Sequence, residues 1–434
     1  MGFLPTITRA TATAPRASRH RKKKTALVCA GGGVTGAVYE IGVIRALAAC
    51  LPERQLNEFD MYVGVSAGAF VSAFLANRVS SEELFRSLAG CSKTIESVRR
   101  SDIFKLNWSE LFIRGAASPL VAARAAYTYA RASEDITITD AVMMLGESLP
   151  SAFLCNSKLE GFVHRNLKKH GRTDDFRELH NELYIPAVNL DTGARVVFGE
   201  PPYRHIPISK AVRASSALPI AFRPARIEGA DYIDGATEKN FHLDVAIAHG
   251  AELIVCVNPL VPLMNDPGQV AVPLLFGKHG RGAPRFLAHK GLATVIDQAF
   301  RLILHSRMKV GFERAVEKAP HVDIIMFEPD AQDYKMFFYN ILRYSARIII
   351  AKHGYEAARQ IIEKSYPELV DVFARYDMPL SRDLLDQAHE QMQQGGGSIA
   401  AAVAALSGRL GKIKGRIRKK EGSKIIEIPV SAVA

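Results

Sequence analysis

A serine in a G-x-S-x-G motif has the setting of a nucleophile. The motif contains Gly64, Ser66, Ala67 and Gly68; it follows an apolar segment at 62–65 that predicts a strand, and a helical pattern comes next. A serine at a sharp strand-to-helix turn projects its hydroxyl outward, and the flanking glycines let neighbouring segments approach without a Cβ clash. Amide dipoles at the helix start favour negative charge nearby. The alternative is a tight turn whose serine only caps the helix.

A glycine-rich loop after a strand predicted at 26–30 has two interpretations. Gly31, Gly32, Gly33 and Gly36 fit the G-x-G-x-x-G fingerprint of dinucleotide-binding proteins. Dinucleotide-binding proteins also need an acidic residue at the end of the second strand to bind a ribose hydroxyl. The candidate here, Asp60, precedes that strand. Alternatively, successive glycine amides form an anion cradle, which can act as an oxyanion hole because the loop leaves the same sheet edge as the serine. The sequence favours the oxyanion hole, and a plain tight turn remains a third alternative.

A nucleophilic serine needs a base, and the sequence offers an aspartate or a histidine. Asp234 follows a short apolar stretch and precedes Gly235, which could let the loop pass close to the serine, although Asp-Gly is also an ordinary turn. His242 and His249 follow Asp234 in the chain order of a triad hydrolase. However, His249 belongs to a helix-like stretch before the next strand and His242 lies beside Asn240, so we expect no catalytic histidine. No metal-ligand spacing occurs, and neither a metal nor a cofactor is predicted.

Together, the three motifs resemble the patatin-like phospholipase family. The glycine loop at 31–36, the serine motif at 64–68 and the triplet at 234–236 occur in the family's order. The segments at 214–219 and 189–193 and the residue Asn240 also match, so the resemblance covers roughly residues 25–260. One departure is Thr35, where the family often has Arg or Lys, and this puts a charged role for that position in doubt.

The resemblance implies a serine acyl hydrolase that cleaves fatty-acyl esters of phospholipids or related lipids. It implies that Ser66 is the nucleophile, that Asp234 is the general base of a two-residue dyad, and that the amides of Gly31, Gly32 and Gly33 form the oxyanion hole. An ordinary Asp, with a pKa of about 3.9, is a weak base, so hydrogen bonding and partial desolvation must assist it. Two alternatives stay open: a catalytically inactive lipid-binding or scaffold protein of the same fold, and a dinucleotide-binding oxidoreductase.

The elements that must position these residues predict an α/β fold. Strands and helices alternate from residue 25 onward, which is typical of a parallel sheet with helices on both faces. Further strands are expected at 183–188 and 194–198, with a hairpin turn at 191–193, and at 252–257 and 322–327. Residues 80–170 read as an irregular helical insertion and 334–365 as one long amphipathic helix. With the resemblance, the expected architecture is a three-layer patatin-like fold with a mainly parallel central sheet, a helical insertion and a C-terminal helical extension.

Composition divides the chain into four parts. We expect a disordered basic arm at 1–24, a catalytic domain at 25–330 with its motif-bearing core at 25–260, a helical extension at 331–390, and a Gly-rich linker with a basic tail at 391–434. The arm would also suit an organelle transit peptide, and its first residues match a myristoylation pattern.

Basic residues at the two ends account for the net charge of +12. Residues 1–24 hold seven basic and no acidic residues, and residues 405–434 hold eight basic and two acidic ones. Such ends attract polyanions, and the spacing of apolar and basic residues in the tail suits an amphipathic segment on an anionic membrane as well as a disordered tail. We expect a lipid ester substrate and no nucleic-acid partner, and the oligomeric state is not predicted.

The cysteines and the hydropathy favour a cytoplasmic protein that can be peripheral at a membrane. The five cysteines are scattered and odd in number, which argues against a disulfide framework or a zinc ribbon. No uninterrupted apolar run reaches the roughly 18 residues that a membrane-spanning helix needs, so none is expected.

Overall fold

The computed structural model describes residues 6–8, 23–51, 58–131, 146, 149–267, 285–339 and 341–393. The strands are β1 (Thr6–Thr8), β2 (Thr25–Cys29), β3 (Met61–Gly64), β4 (Lys105–Leu106), β5 (Leu154–Cys155), β6 (Glu182–Asn189), β7 (Arg195–Phe198), β8 (Ala225–Ile227), β9 (Ala230–Asp234), β10 (Leu253–Val257) and β11 (Asp323–Phe327).

The α-helices of the same residues are α1 (Gly33–Cys50), α2 (Ala67–Ala76), α3 (Ser81–Ala89), α4 (Arg100–Ile103), α5 (Trp108–Arg131), α6 (Ser157–Leu167), α7 (Ile208–Ser215), α8 (Leu243–Ala248), α9 (Leu292–Lys318), α10 (Tyr334–Phe338), α11 (Arg347–Lys364), α12 (Tyr366–Ala374) and α13 (Arg382–Gln393). Short 3₁₀ turns lie at Phe176–Glu178, Tyr203–His205, Gly235–Thr237, Leu287–Lys290 and Tyr344–Ala346.

The central sheet is mainly parallel. Its strands follow the order β1-β11-β10-β2-β3-β6-β9-β8, and β7 also pairs with β6. Strands β11, β10, β2, β3 and β6 run parallel, whereas β7 and β9 run antiparallel to β6, and β8 runs antiparallel to β9. The expected fold class is therefore confirmed.

Helices cover both faces of the sheet and make three layers. On β2, Leu27 and Cys29 belong to a large core with α1, α2, α3 and α11, whereas Ala26 and Val28 belong to a smaller core with α8 and α9. Parallel strands with both faces covered are apolar throughout, as Leu253–Val257 is.

Helix α1 lies at the centre of the larger core. By length and composition alone this helix could cross a membrane, although its sequence contains no uninterrupted apolar run of that length. However, 67% of it is buried, as expected of a core helix. Sequence hydropathy cannot separate the two cases, because both need a helix that is apolar on nearly every side.

Helix α11 packs closely against α1. A Cβ atom at Gly42 would lie closer than 3.0 Å to the Ala351 carbonyl oxygen, and one at Gly354 would lie as close to the Tyr39 carbonyl oxygen. Two glycines therefore let the backbones approach. The helices after residue 330 share the larger core with α1, α2 and α3, so the expected boundary at 330 does not separate two cores.

The structure corrects two sequence predictions. The long helix expected at 334–365 is interrupted between α10 and α11, because the Ile341 carbonyl accepts a hydrogen bond from the Thr35 N–H (3.1 Å) instead of continuing a helix. Within the arm expected to be disordered, Thr6–Thr8 add an antiparallel edge strand to β11.

The insertion and the start of the expected linker both contain helices. The insertion expected at 80–170 is helical where described, with a small two-stranded sheet of β4 and β5. Helix α13 extends to Gln393, so the start of the expected linker is helical, and the basic tail after it lies outside the described residues.

We expect Gly354→Ala to lower the free energy of unfolding by about 1–3 kcal/mol, because the added methyl group meets the α1 backbone. Urea denaturation measures the change. The matched control is Gly311→Ala in α9, where nothing lies within 4 Å of the added Cβ. This change should be neutral or stabilising, since alanine favours a helix more than glycine does. Equal effects of the two variants would contradict the close packing of α1 and α11.

Candidate active site

Ser66 sits in a strained turn between β3 and α2. Its backbone angles are φ 54° and ψ −117°, a left-handed region that a residue with a Cβ rarely adopts. The Ser66 N–H donates to the Ser215 hydroxyl (2.9 Å), which in turn donates to the Pro186 carbonyl (2.6 Å). Strain of this kind persists only where the surroundings enforce it, and it is typical of a nucleophile elbow.

The glycines beside Ser66 are needed for close backbone contacts. A Cβ atom at Gly64 would lie closer than 3.0 Å to the Gly68 carbonyl oxygen, and one at Gly68 would lie as close to the Cys29 carbonyl oxygen. Ala67, with its small side chain, is buried at the first position of α2. The motif residues thus let the turn fit tightly against the end of β2.

One strand, β6, pairs with the strands that lead to Ser66 and to Asp234. Val63 of β3 lies opposite Tyr184 of β6, and Ser66 follows three residues after Val63, just beyond the end of β3. Ala187, also in β6, is the partner of Asp234 at the end of β9. Although 168 positions separate Ser66 and Asp234 in the numbering, both line the same pocket.

The Asp234 carboxyl is buried and partly unpaired. Its Oδ1 accepts from the Ala236 N–H (2.9 Å), whereas Oδ2 has no hydrogen-bond partner among the described residues. Burial raises the pKa of Asp234 to about 7, and the nearby Ser66 hydroxyl and the Ala236 N–H oppose that rise. The Ser66 hydroxyl is therefore close to the carboxyl but makes no full hydrogen bond with it at rest. Such bonds often tighten only when substrate binds.

Gly235 lets the chain turn away directly after Asp234. A Cβ atom there would lie closer than 3.0 Å to the Pro186 carbonyl oxygen and to a methyl group of Val65. The carboxyl can therefore stay beside the serine turn while its backbone passes β6.

The glycine loop reaches the same place, with one correction to the expected oxyanion hole. The Gly31 N–H donates to the Asn240 side-chain oxygen (2.9 Å), so it is not available to an oxyanion. The Gly36 N–H closes the first turn of α1 on the Gly32 carbonyl (2.9 Å). The amides of Gly32, Gly33 and Val34 make no hydrogen bond to the described residues, as the first N–H groups of a helix generally do not.

Two positioning residues were not assigned a role from the sequence. Asn240, noted only as part of the resemblance, holds the Gly31 amide and donates to the Asn258 side-chain oxygen (3.4 Å). Ser215 holds the Ser66 amide, and it lies in the 214–219 segment that also matched the family. Ser215 is the last residue of α7, and no local pattern shows that its acceptor, the Pro186 carbonyl, lies in a distant strand.

These groups line one apolar pocket. The pocket has a cavity volume of about 100 Å³, is open to solvent, and contains Ser66, Asp234 and the loop 31–34 in its wall. Most of the remaining wall is apolar, and a long apolar group with a polar end fits such a site. The apolar lining includes Phe70, Phe222, Phe300, Leu304 and Ile341.

The structure places the rival residues away from this pocket. Asp60 accepts from the Thr25 N–H and hydroxyl (2.9 Å each), at the opposite edge of the sheet from Ser66, so it cannot bind a ribose at the glycine loop. His249 lies between Tyr184 and Glu200. His242 is buried, and burial lowers its pKa to about 3. Neither histidine lines the pocket.

We expect Ser215→Ala to lower the free energy of unfolding by about 1–3 kcal/mol, because the buried Ser66 N–H loses its acceptor. Ser216→Ala is the matched control. Its hydroxyl donates to the Ser66 carbonyl (3.2 Å), which also accepts from the Ala69 and Phe70 amides, so its loss should cost less than about 1 kcal/mol. Urea denaturation of both variants measures the difference, and equal losses would contradict the role of Ser215.

Comparison with known proteins identifies the family. Residues 27–247 match the family model described as patatin-like phospholipase. Two solved structures are similar to this chain. One is VipD from Legionella pneumophila, with 14% identity, 83% of this chain and 70% of that chain covered, and a TM-score of 0.33.

The other is ExoU from Pseudomonas aeruginosa, solved in complex with SpcU, with 15% identity and a TM-score of 0.26. The match covers 82% of this chain but 61% of ExoU, less than two thirds of its length. The family match spans half of the 434 residues and includes the serine turn, the glycine loop and the aspartate. The chain belongs to the patatin-like phospholipase family.

Proposed function

We propose that this protein is a serine acyl hydrolase that cleaves fatty-acyl esters of phospholipids or related lipids through Ser66 and Asp234. One observation carries the proposal: a strained serine and a buried carboxyl, one of whose oxygens has no hydrogen-bond partner among the described residues, line the same apolar pocket. Membership of the patatin-like phospholipase family supports lipid ester hydrolysis in general.

In the acylation step, the Ser66 hydroxyl oxygen attacks the ester carbonyl carbon while its proton passes to Asp234 Oδ2. A carboxyl with a pKa of about 7 is a stronger base than an ordinary Asp and is still half ionised at neutral pH. The alcohol or lysolipid then leaves as the C–O bond breaks, and it takes the proton from Asp234.

The negative charge that develops on the carbonyl oxygen needs donors, which the start of α1 can supply. The free amides of Gly32, Gly33 and Val34 are the proposed oxyanion hole, and the helix dipole adds to their effect. Gly31 has a different role, because its bond to Asn240 fixes the loop beside Ser66.

In the deacylation step, a water molecule attacks the acyl-enzyme and gives its proton to Asp234. The tetrahedral intermediate collapses, the Ser66 oxygen recovers a proton from Asp234, and the fatty acid leaves. The same carboxyl therefore acts as base and then as acid in both halves of the cycle. The apolar wall holds the acyl chain and limits the access of other water molecules.

We expect Ser66→Ala to abolish labelling by a fluorophosphonate probe and to lower hydrolysis of lipid esters by about three orders of magnitude or more. Asp234→Asn should lower hydrolysis to a similar extent, because the amide cannot accept the proton. The control is Ser216→Ala, which leaves the dyad intact and should still be labelled. An intact protein that does not react with the probe would favour the catalytically inactive lipid-binding alternative.

We expect kcat/KM to rise with pH and to be half-maximal near pH 7, because protonated Asp234 cannot act as a base. Hydrolysis of a short soluble ester, measured over about two pH units on either side of that pKa, gives the profile. A midpoint near the ordinary value of 3.8 would contradict the effect of burial.

Protein stability gives a second readout of the same pKa. The folded carboxyl binds its proton up to about pH 7, whereas the unfolded one releases it near 3.8, so wild type loses this contribution to stability as the pH rises through that window. Asp234→Asn lacks the titration. Its free energy of unfolding should therefore rise relative to wild type between these pH values, and a constant difference would contradict the raised pKa.

A further inference from the structure

Five large apolar side chains are exposed beside the pocket. Trp108 is 59%, Phe112 76% and Ile220 78% exposed. Leu106 and Phe153 are also exposed. We refer to Leu106, Trp108, Phe112, Phe153 and Ile220 as the docking face.

Backbone hydrogen bonds bring these segments together. The Asn107 N–H donates to the Phe153 carbonyl (2.9 Å), and the Leu154 N–H donates to the Ala221 carbonyl (3.1 Å). Phe222, one residue further, lines the pocket and stacks on Phe104. The docking face is therefore continuous with the pocket wall.

Ile220 is held outward in a strained conformation. Its φ of 71° is in the left-handed region, where a β-branched residue is an outlier. The side chain is exposed, so burial does not account for an isoleucine at this position, where glycine or asparagine is usual. A strained backbone that presents an apolar side chain to solvent is more often a functional feature than a folding one.

The charge around the docking face is positive. Residues 99–131 contain six basic and two acidic residues. Both acidic side chains are engaged internally: Asp102 accepts from the Arg99 N–H (2.8 Å), and Glu110 accepts from the Ser151 N–H and hydroxyl (2.8 and 2.7 Å). An apolar surface with a basic surround matches an anionic bilayer, which presents hydrocarbon beneath negative headgroups.

We propose that the docking face inserts into the surface of a phospholipid bilayer that contains anionic lipid, so that an ester passes from the bilayer into the pocket past Phe222. The inference rests on the proposed function, because a lipid substrate is what makes a bilayer the occupant. Aromatic side chains such as Trp108 suit the interface between headgroups and acyl chains. All five residues of this surface belong to the described part of the chain.

Trp108 reports on the docking face directly, because it is the only tryptophan of the chain. The full chain with Ser66→Ala, which spares the lipid, is titrated with vesicles of equimolar phosphatidylcholine and phosphatidylserine. We expect the tryptophan emission to shift to shorter wavelength and to be quenched by lipids brominated on their acyl chains. Vesicle binding without that shift or quenching would mean that another surface binds, and it would overturn the proposal.

Substitutions test whether vesicle binding depends on the docking face or on exposed apolar side chains in general. Phe112→Asp and Ile220→Asn should each weaken vesicle binding about tenfold or more, since each removes a large apolar side chain from the interface. Ile349→Asp is the matched control, because Ile349 is 56% exposed on α11, outside the docking face. Ile220→Asn should also raise Tm, since asparagine tolerates the left-handed region. Unchanged vesicle binding by Phe112→Asp and Ile220→Asn would overturn the proposal.

Hydrolysis assays show whether the docking face or the proposed enzymatic function is wrong. With Ser66 present, Phe112→Asp should hydrolyse a short soluble ester like wild type but vesicle lipid more slowly. Vesicle binding through Trp108 by a protein that hydrolyses neither substrate would support the docking face and contradict the enzyme. A dimer that Phe112→Asp dissociates, and that vesicles do not disrupt, would show that a second copy covers the face and would overturn the proposal.

Discussion

The double pairing of β6 is the constraint on which the site depends. This strand runs parallel to β3 at its start and antiparallel to β9 at its end, so it connects the strand that leads to Ser66 with the strand that ends at Asp234. A slip of one residue in either pairing would invert the faces of a strand and separate the two side chains. The Pro186 carbonyl in the same strand also accepts from Ser215, which holds the serine turn. One strand thus contacts the neighbours of both residues of the proposed dyad.

Burial of Asp234 raises the pKa of its carboxyl and also costs stability. A carboxylate with one N–H donor and a free oxygen is poorly solvated in an apolar pocket, and for that reason it holds a proton more tightly than an exposed Asp. The strained backbone of Ser66 adds a second cost. The two cores on either side of the sheet supply the packing that offsets these costs.

The sequence predicted those features that depend on neighbouring residues. The strands with both faces covered were apolar runs, and the serine turn and the glycine loop were short motifs, so the fold class and the positions of the main strands followed. Features set by distant partners did not follow. The bond from Gly31 to Asn240, the interruption after α10 and the edge strand at Thr6–Thr8 each require a contact that no local pattern records. The pairing of Ser66 with Asp234 came from the family resemblance, because Asp-Gly by itself is an ordinary turn.

The interruption between α10 and α11 ties the far end of the chain to the glycine loop. The Ile341 carbonyl accepts from Thr35, Ile341 lines the pocket, and α11 packs against α1. A nascent chain on the ribosome therefore carries the serine and the aspartate long before it can enclose them. The wall around Ser66 and Asp234 is complete only after translation has passed Lys364, so the proposed activity has to wait for the synthesis of α11.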